Sequence, residues 1–115
     1  PAAGGCYFGG MVEIQYRTVT PYFCVPDADA ELAFLKAAFD ATEVECQRTE
    51  DNKIMHAELK IGDSLVMLGQ SGGPRKAMPA AIYLWVPDAD KTYAAAMKAG
   101  ATSESAPENK PWGHR

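Results

Sequence analysis

The chain has no surplus of basic residues, no cysteines at ligand or disulfide-framework spacing, and no long apolar run; each absence removes a class of function. Eleven Lys and Arg stand against fifteen Asp and Glu, for a net charge of −4. The cationic pair in the loop between the two halves of the chain is Arg75 and Lys76 alone, so a phosphate backbone finds little to neutralise it and nucleic acid is not an expected partner. No apolar stretch approaches the roughly 20 residues that cross a bilayer, and the N-terminus lacks the charged-then-apolar profile of a signal peptide. No membrane partner is expected, and the cytoplasm is the expected compartment. The three cysteines, Cys6, Cys24 and Cys46, are odd in number and show no C-x-x-C spacing, so they read as buried free thiols. There is no Ser/His/Asp or Cys/His nucleophile set, no phosphate-cradling glycine loop and no Rossmann fingerprint.

What is present is the composition of one soluble domain: 115 residues, 47% hydrophobic and 23% charged. The opening PAAGGCYFGG, residues 1–10, is small and glycine-rich without period and reads as a leader or cloning scar, with Met11 a plausible natural start. Residues 11–115 then form a single domain, and within it one phrase occurs twice: Val25-Pro26-Asp27-Ala28-Asp29 returns as Val86-Pro87-Asp88-Ala89-Asp90.

Both copies are preceded by β-branched and aromatic residues, Thr18 to Val25 and Ala80 to Val86, which predict strands. Pro26 and Pro87 end those ladders because they donate no hydrogen bond, while Asp27 and Asp88 are placed to cap a following helix whose first turn carries Asp29 or Asp90. That position makes capping, rather than paired carboxylate catalysis, the reading of the aspartates. The first helix, Ala28 to Phe39, has a stripe of Leu32, Leu35 and Phe39. The second, Ala89 to Ala99, has Tyr93, Ala96 and Met97, and stops at Gly100.

Three more strands follow the first helix: Thr42 to Thr49, Lys53 to Ile61 after a Glu-Asp-Asn turn, and Ser64 to Gly69 after the hairpin signal Gly62-Asp63. The unit is βαβββ. It runs over residues 18–69, the linker Gln70 to Pro79 follows, and the second unit occupies 80–115, where one strand and a loop stand in place of three strands. The fold class is α+β, with tandem βαβββ units, the second incomplete, and a mixed curled sheet forming a cleft.

The repeat, together with Thr20-Pro-Tyr-Phe, Met55-His-Ala-Glu-Leu-Lys-Ile-Gly-Asp-Ser, Gly100-Ala-Thr and Pro111-Trp-Gly-His-Arg, resembles the vicinal oxygen chelate superfamily of glyoxalase I, extradiol dioxygenases and bleomycin-resistance proteins, and most nearly a bacterial glyoxalase/bleomycin-resistance subgroup. The resemblance implies a cleft that holds a small ligand between paired units, and two further strands beyond the Trp-Gly element. Those strands are either missing from the end of the chain or supplied by a partner, so a homodimer, strand-exchanged if the partner completes the sheet, is expected. Superfamily enzymes hold a divalent cation with one residue on the first strand of each unit and carboxylates from the last strands. By that resemblance the ligand positions here are Thr20, Ala81 and Met67. A hydroxyl, a methyl group and a thioether suit a hard cation poorly, and no metal or other cofactor is expected there.

Strand alternation sorts the faces. Met55, Ala57, Leu59 and Ile61 predict the side under the helices, and His56, Glu58 and Lys60 the cleft side. The metal-ligand phase adds Thr20, Tyr22, Cys24, Leu65, Met67, Ala81, Tyr83 and Trp85 to the cleft, and Val19, Phe23, Val25, Ile82, Leu84 and Val86 to the helix side. The candidate ligand-binding set is Tyr22, His56, Glu58, Met67, Tyr83, Trp85 and Trp112, an aromatic wall with sparse polar groups suited to a flat or amphipathic small molecule. Plainer readings stand beside it. His56 and Glu58 fit a salt-bridged or solvated strand face as well as ligand contact or acid/base work. Tyr83 and Trp85 equally fit a dimer interface, and Trp112 fits either a cleft rim or a packed tail. The function expected is therefore metal-free binding of an aromatic or amphipathic ligand, of bleomycin-resistance type. The alternative is a metal-dependent lyase, isomerase or dioxygenase with a relocated metal, for which His56 and Glu58 are the internal pair available.

Overall fold

The computed structural model describes residues 5–8 and 12–115, with side chains from Tyr16 onward. The segment read as a leader, 1–10, lies outside the described residues except for the backbone of β1, Gly5–Phe8, which pairs antiparallel with β2, Val12–Gln15. The side chain of Cys6 is likewise outside them.

The first unit forms as its sequence pattern predicts. β3 (Tyr22–Val25) runs into α1 (Ala28–Phe39), followed by β4 (Thr42–Arg48), β5 (Ile54–Ile61) and β6 (Ser64–Gln70). The four strands make one sheet in the order β3-β6-β5-β4, with β3 parallel to β6 and the other pairs antiparallel. Asp27 caps α1 by accepting from Ala30 N at 3.0 Å, which satisfies one of the free N–H groups of the first turn. Gln70, at the end of β6, fixes the same helix start from the sheet side: its side chain accepts from Ala28 N at 2.9 Å and donates to the Pro26 carbonyl. The helix ends where Asp40 turns left-handed, φ 57°.

α1 covers one face of the sheet only. Leu32 and Leu35 pack onto Phe23, Leu59, Val66 and Leu68, all buried, and each such side chain contributes about 1.5–3 kcal/mol of burial. The two cysteines with described side chains are free, Cys24 buried and Cys46 half-buried.

Two register shifts decide which side chains reach the uncovered face. Glu43 pairs with Leu59 and Glu45 with Glu58, so Val44 is an extra residue in β4; Gln47 pairs with His56 and Arg48 with Ile54, so Met55 is an extra residue in β5. Such bulges invert the alternation beyond them. Met55, expected under the helix, is therefore 41% exposed, and Ile54 takes its core place at 0%.

The second unit departs from expectation. Asp88 caps α2 (Ala89–Lys98) by accepting from Lys91 N at 3.1 Å, the same device as in the first copy. Gly100 has φ +111°, as a left-handed helix end requires. α2 packs beside α1 yet buries none of its residues. The strand predicted over Ala80 to Val86 does not form, nor does one after α2. In the first unit β3 is held by hydrogen bonding to β6, in register with residues 45 positions later in the chain. Among the described residues no strand lies beside 80–86, so this strand-prone segment has no ladder to join. The first strand is also shorter than predicted. Residues from Thr18 to Pro21 lie outside it, and Val19, assigned to the helix side, is 81% exposed.

Candidate functional site on the uncovered face of the sheet

The face of the sheet away from α1 carries a continuous row of side chains. Tyr22 stands opposite Met67, Met67 opposite Glu58, and Glu58 opposite Glu45, one residue from each of the four strands. His56, two residues from Glu58, lies on the same side.

Glu58 is the centre of this row. Only 7% of its side chain is exposed, yet no Lys or Arg pairs with it among the described residues. Tyr16 donates its hydroxyl to Oε1 at 2.7 Å, and His56 Nε2 lies 2.7 Å from Oε2, placed to donate to it. These two bonds replace the water that burial removes; charge-assisted bonds of this kind are about twice as strong as neutral ones. The short His56–Glu58 contact also sets the imidazole plane, whose ring centroid is 6.1 Å from that of Tyr22 at 31°.

Tyr22 lies along the sheet because Gly69 has no side chain. A Cβ at that position would overlap the Tyr22 hydroxyl and come within 2.8 Å of the Met55 carbonyl. The linker closes one end: Arg75 Nη1 donates to the Tyr22 hydroxyl at 3.2 Å, and Met78 N donates to Cys24 O at 3.2 Å along the edge of β3. The result is an aromatic platform of Tyr22 and His56, with a buried carboxylate at one side and a guanidinium at the other.

The sequence-derived residues thus fall into separate places. Tyr22, His56, Glu58 and Met67 come together on the sheet. Tyr83 and Trp85 do not join them: they line a groove of about 1110 Å³ between the second unit and the edge formed by α1 and the β5–β6 turn, and that groove touches none of the four. Their rings pack on one another at 5.4 Å, and Trp85 meets His114 edge-on at 4.8 Å. Trp112 is 66% exposed and lines neither place. The sheet face holds a buried ionisable group and convergent polar contacts, which mark chemistry better than volume does. Glu45 was missed by the sequence reading, because strict alternation does not anticipate the bulge that turns it onto this face.

The positions that the resemblance assigns to a cation carry donors that suit one poorly. Thr20 has a single hydroxyl, Met67 a thioether and Ala81 no donor.

A βαβββ unit with a sheet open on one face, followed by a second copy of its cap and helix, fits the architecture of vicinal oxygen chelate proteins. The chain belongs to the Glyoxalase/Bleomycin resistance protein/Dioxygenase superfamily, whose model matches residues 16–115. Uncharacterized proteins of Mycobacterium bovis and Mycobacterium tuberculosis are 35% identical to it over 108 residues, 84% of this chain. The match covers 71% of the first and 64% of the second, so the chain spans about two thirds of the length of these relatives. Among solved structures, TioX from Micromonospora sp. ML1 is similar with a TM-score of 0.64 at 26% identity, over 83% of this chain and 79% of that one. The fosfomycin resistance protein FosX from Mesorhizobium loti shares the fold, with a TM-score of 0.55 at 23% identity over 71% of this chain and 68% of its own.

Proposed function

We propose that the chain binds a flat or amphipathic small molecule on the uncovered face of the sheet, as a binding protein of bleomycin-resistance type without a cation at Thr20, Met67 or Ala81. The observation that carries this reading is the Tyr22 ring, laid along the sheet over Gly69 beside His56. An exposed ring held in place contributes contact area with little ordering entropy left to lose. His56, Glu58 and Arg75 surround it with groups that orient a ligand by hydrogen bonds. Membership in a superfamily whose name includes bleomycin resistance, and a fold shared with a fosfomycin resistance protein, favour drug-like ligands over macromolecules. The exposed Ile82, Tyr83 and Trp85 are assigned, within the same proposal, to contact with a second copy of the chain.

A thermal-shift series with bleomycin, fosfomycin and a set of planar aromatic compounds tests the ligand reading. A compound that binds only the folded chain at 100 times its Kd stabilises it by about 2.7 kcal/mol. A concentration-dependent rise in Tm that disappears in Tyr22→Leu is expected; no shift with any compound, or a shift indifferent to Tyr22, contradicts it. Light scattering at micromolar concentration tests the second copy, which predicts twice the 12.4 kDa chain mass.

A further inference from the structure

We propose that Glu45, His56 and Glu58 form a site for one divalent first-row transition ion, with Zn²⁺ best suited to the donor set. One donor atom from each of the three residues lies within 4.8 Å of the others. A tetrahedral ion bonded at about 2.1 Å sets its ligand atoms about 3.4 Å apart, so side-chain adjustments of about an ångström close the site. An imidazole nitrogen with two carboxylates favours Zn²⁺ over Mg²⁺ or Ca²⁺, which prefer oxygen alone.

Two features beyond proximity point to a cation. The first is an unbalanced charge. Glu45 and Glu58 are directly opposed on adjacent strands, an arrangement that destabilises a ladder when both are ionised. One of the pair is nine-tenths buried, and no Lys or Arg ion pair relieves either of them among the described residues. Lys60 shares the strand with Glu58 and pairs with neither. A divalent ion removes this conflict outright, whereas His56 offsets one charge only when protonated. The second feature is outer support. Tyr16 holds Glu58 by Oε1, leaving Oε2 aimed at His56, and Gln47 Nε2 donates to Glu45 Oε1 at 3.1 Å. Supporting bonds of this kind orient the ligands of a metal centre. Glu45 is on the edge strand β4 and His56 and Glu58 are on β5, two strands and one strand from the inert Met67 of β6. The site does not depend on the organic ligand proposed above, and either can fail without the other.

Calorimetric titration of the EDTA-treated, untagged chain with ZnCl₂, with MgCl₂ as control, tests the proposal. One Zn²⁺ per chain and no Mg²⁺ are expected. Glu45→Gln, at a half-buried position that leaves the Glu58 bonds intact, is expected to weaken Zn²⁺ binding about tenfold or more, as is His56→Asn. Tyr22→Leu is expected to leave Zn²⁺ affinity unchanged while abolishing the ligand-dependent Tm shift. Absence of saturable Zn²⁺ binding overturns the site. So does wild-type affinity in Glu45→Gln, the variant that spares the fold, since the ion is then held elsewhere, for instance by His114 or Cys46.

Discussion

Glu45 and Glu58 stand directly opposite each other on β4 and β5, and the single extra residue Val44 brings them there. Were Val44 paired in an unbroken ladder, Glu45 would share the side of Glu43, whose carboxylate meets Lys36 of α1 at 2.9 Å. Deleting Val44 removes the bulge and leaves Glu45 next to Glu43 and still opposite Glu58, so Zn²⁺ binding is expected to survive it, at a local cost in packing of about 1–3 kcal/mol. Urea unfolding monitored beside the Zn²⁺ titration checks both.

Gly69→Ala tests the platform. Its Cβ meets the backbone carbonyl of Met55 as well as the Tyr22 ring, and only the ring can move away. A loss of about 1–3 kcal/mol is expected, together with loss of any Tyr22-dependent ligand binding. Gly69→Ala combined with Tyr22→Leu should recover part of the stability, which a double-mutant cycle measures.

Glu58→Ala removes the acceptor that the Tyr16 hydroxyl and His56 Nε2 share in a part-buried setting. A destabilisation of about 1–3 kcal/mol is expected from denaturant midpoints. Leu68→Ala, in the core behind the same strands and 0% exposed, should cost more, about 2–5 kcal/mol.

The repeat makes a paired prediction. Asp27 and Asp88 cap their helices with nearly equal bonds, 3.0 and 3.1 Å, but α1 carries the core and α2 buries nothing. Asp27→Ala is expected to lower global stability by about 1 kcal/mol. Asp88→Ala should speed amide exchange in α2 while leaving the global unfolding midpoint almost unchanged.

Acid stability tests the pair between α1 and β4. Arg48 donates to Asp29 at 2.8 Å and holds that carboxyl below its ordinary range. A carboxyl lowered in the folded state stabilises above its unfolded pKa of about 3.9, and that contribution is lost as pH falls through the lowered folded value. The wild type is therefore expected to melt slightly higher than Arg48→Met above about pH 5, the difference vanishing toward about pH 2 and in 1 M salt. Asp51 and Glu108, also lowered, and Glu31, raised by burial, affect both proteins alike. Melting curves across that range give the answer.

How far the sequence was legible follows from the range of the interactions involved. α1 was readable to the residue, because Asp27, the leucine stripe and the first-turn acids are all local signals. The hairpin at Gly62-Asp63 was readable for the same reason. The second-unit strand was not: Ala80 to Val86 has the composition of a strand, but a strand exists only where another one pairs with it. Nor were the bulges, since an extra residue in a ladder depends on the partner strand and leaves no mark in either segment alone. That blindness hid Glu45 and misplaced Met55. It spared Tyr22, His56, Glu58 and Met67, which fall where unbroken alternation puts them. Tyr83 and Trp85 were grouped with those four through the repeat, and the unpaired segment that carries them lies beside the groove instead.

The most direct test of a ligand on the sheet face is amide and side-chain chemical-shift mapping of the ¹⁵N,¹³C-labelled chain titrated with the compound that gives the largest thermal shift. Perturbations concentrated at Tyr22, His56, Glu58, Met67 and Arg75 are predicted. Perturbations concentrated at Ile82 to Val86, with those five unmoved, would contradict the account.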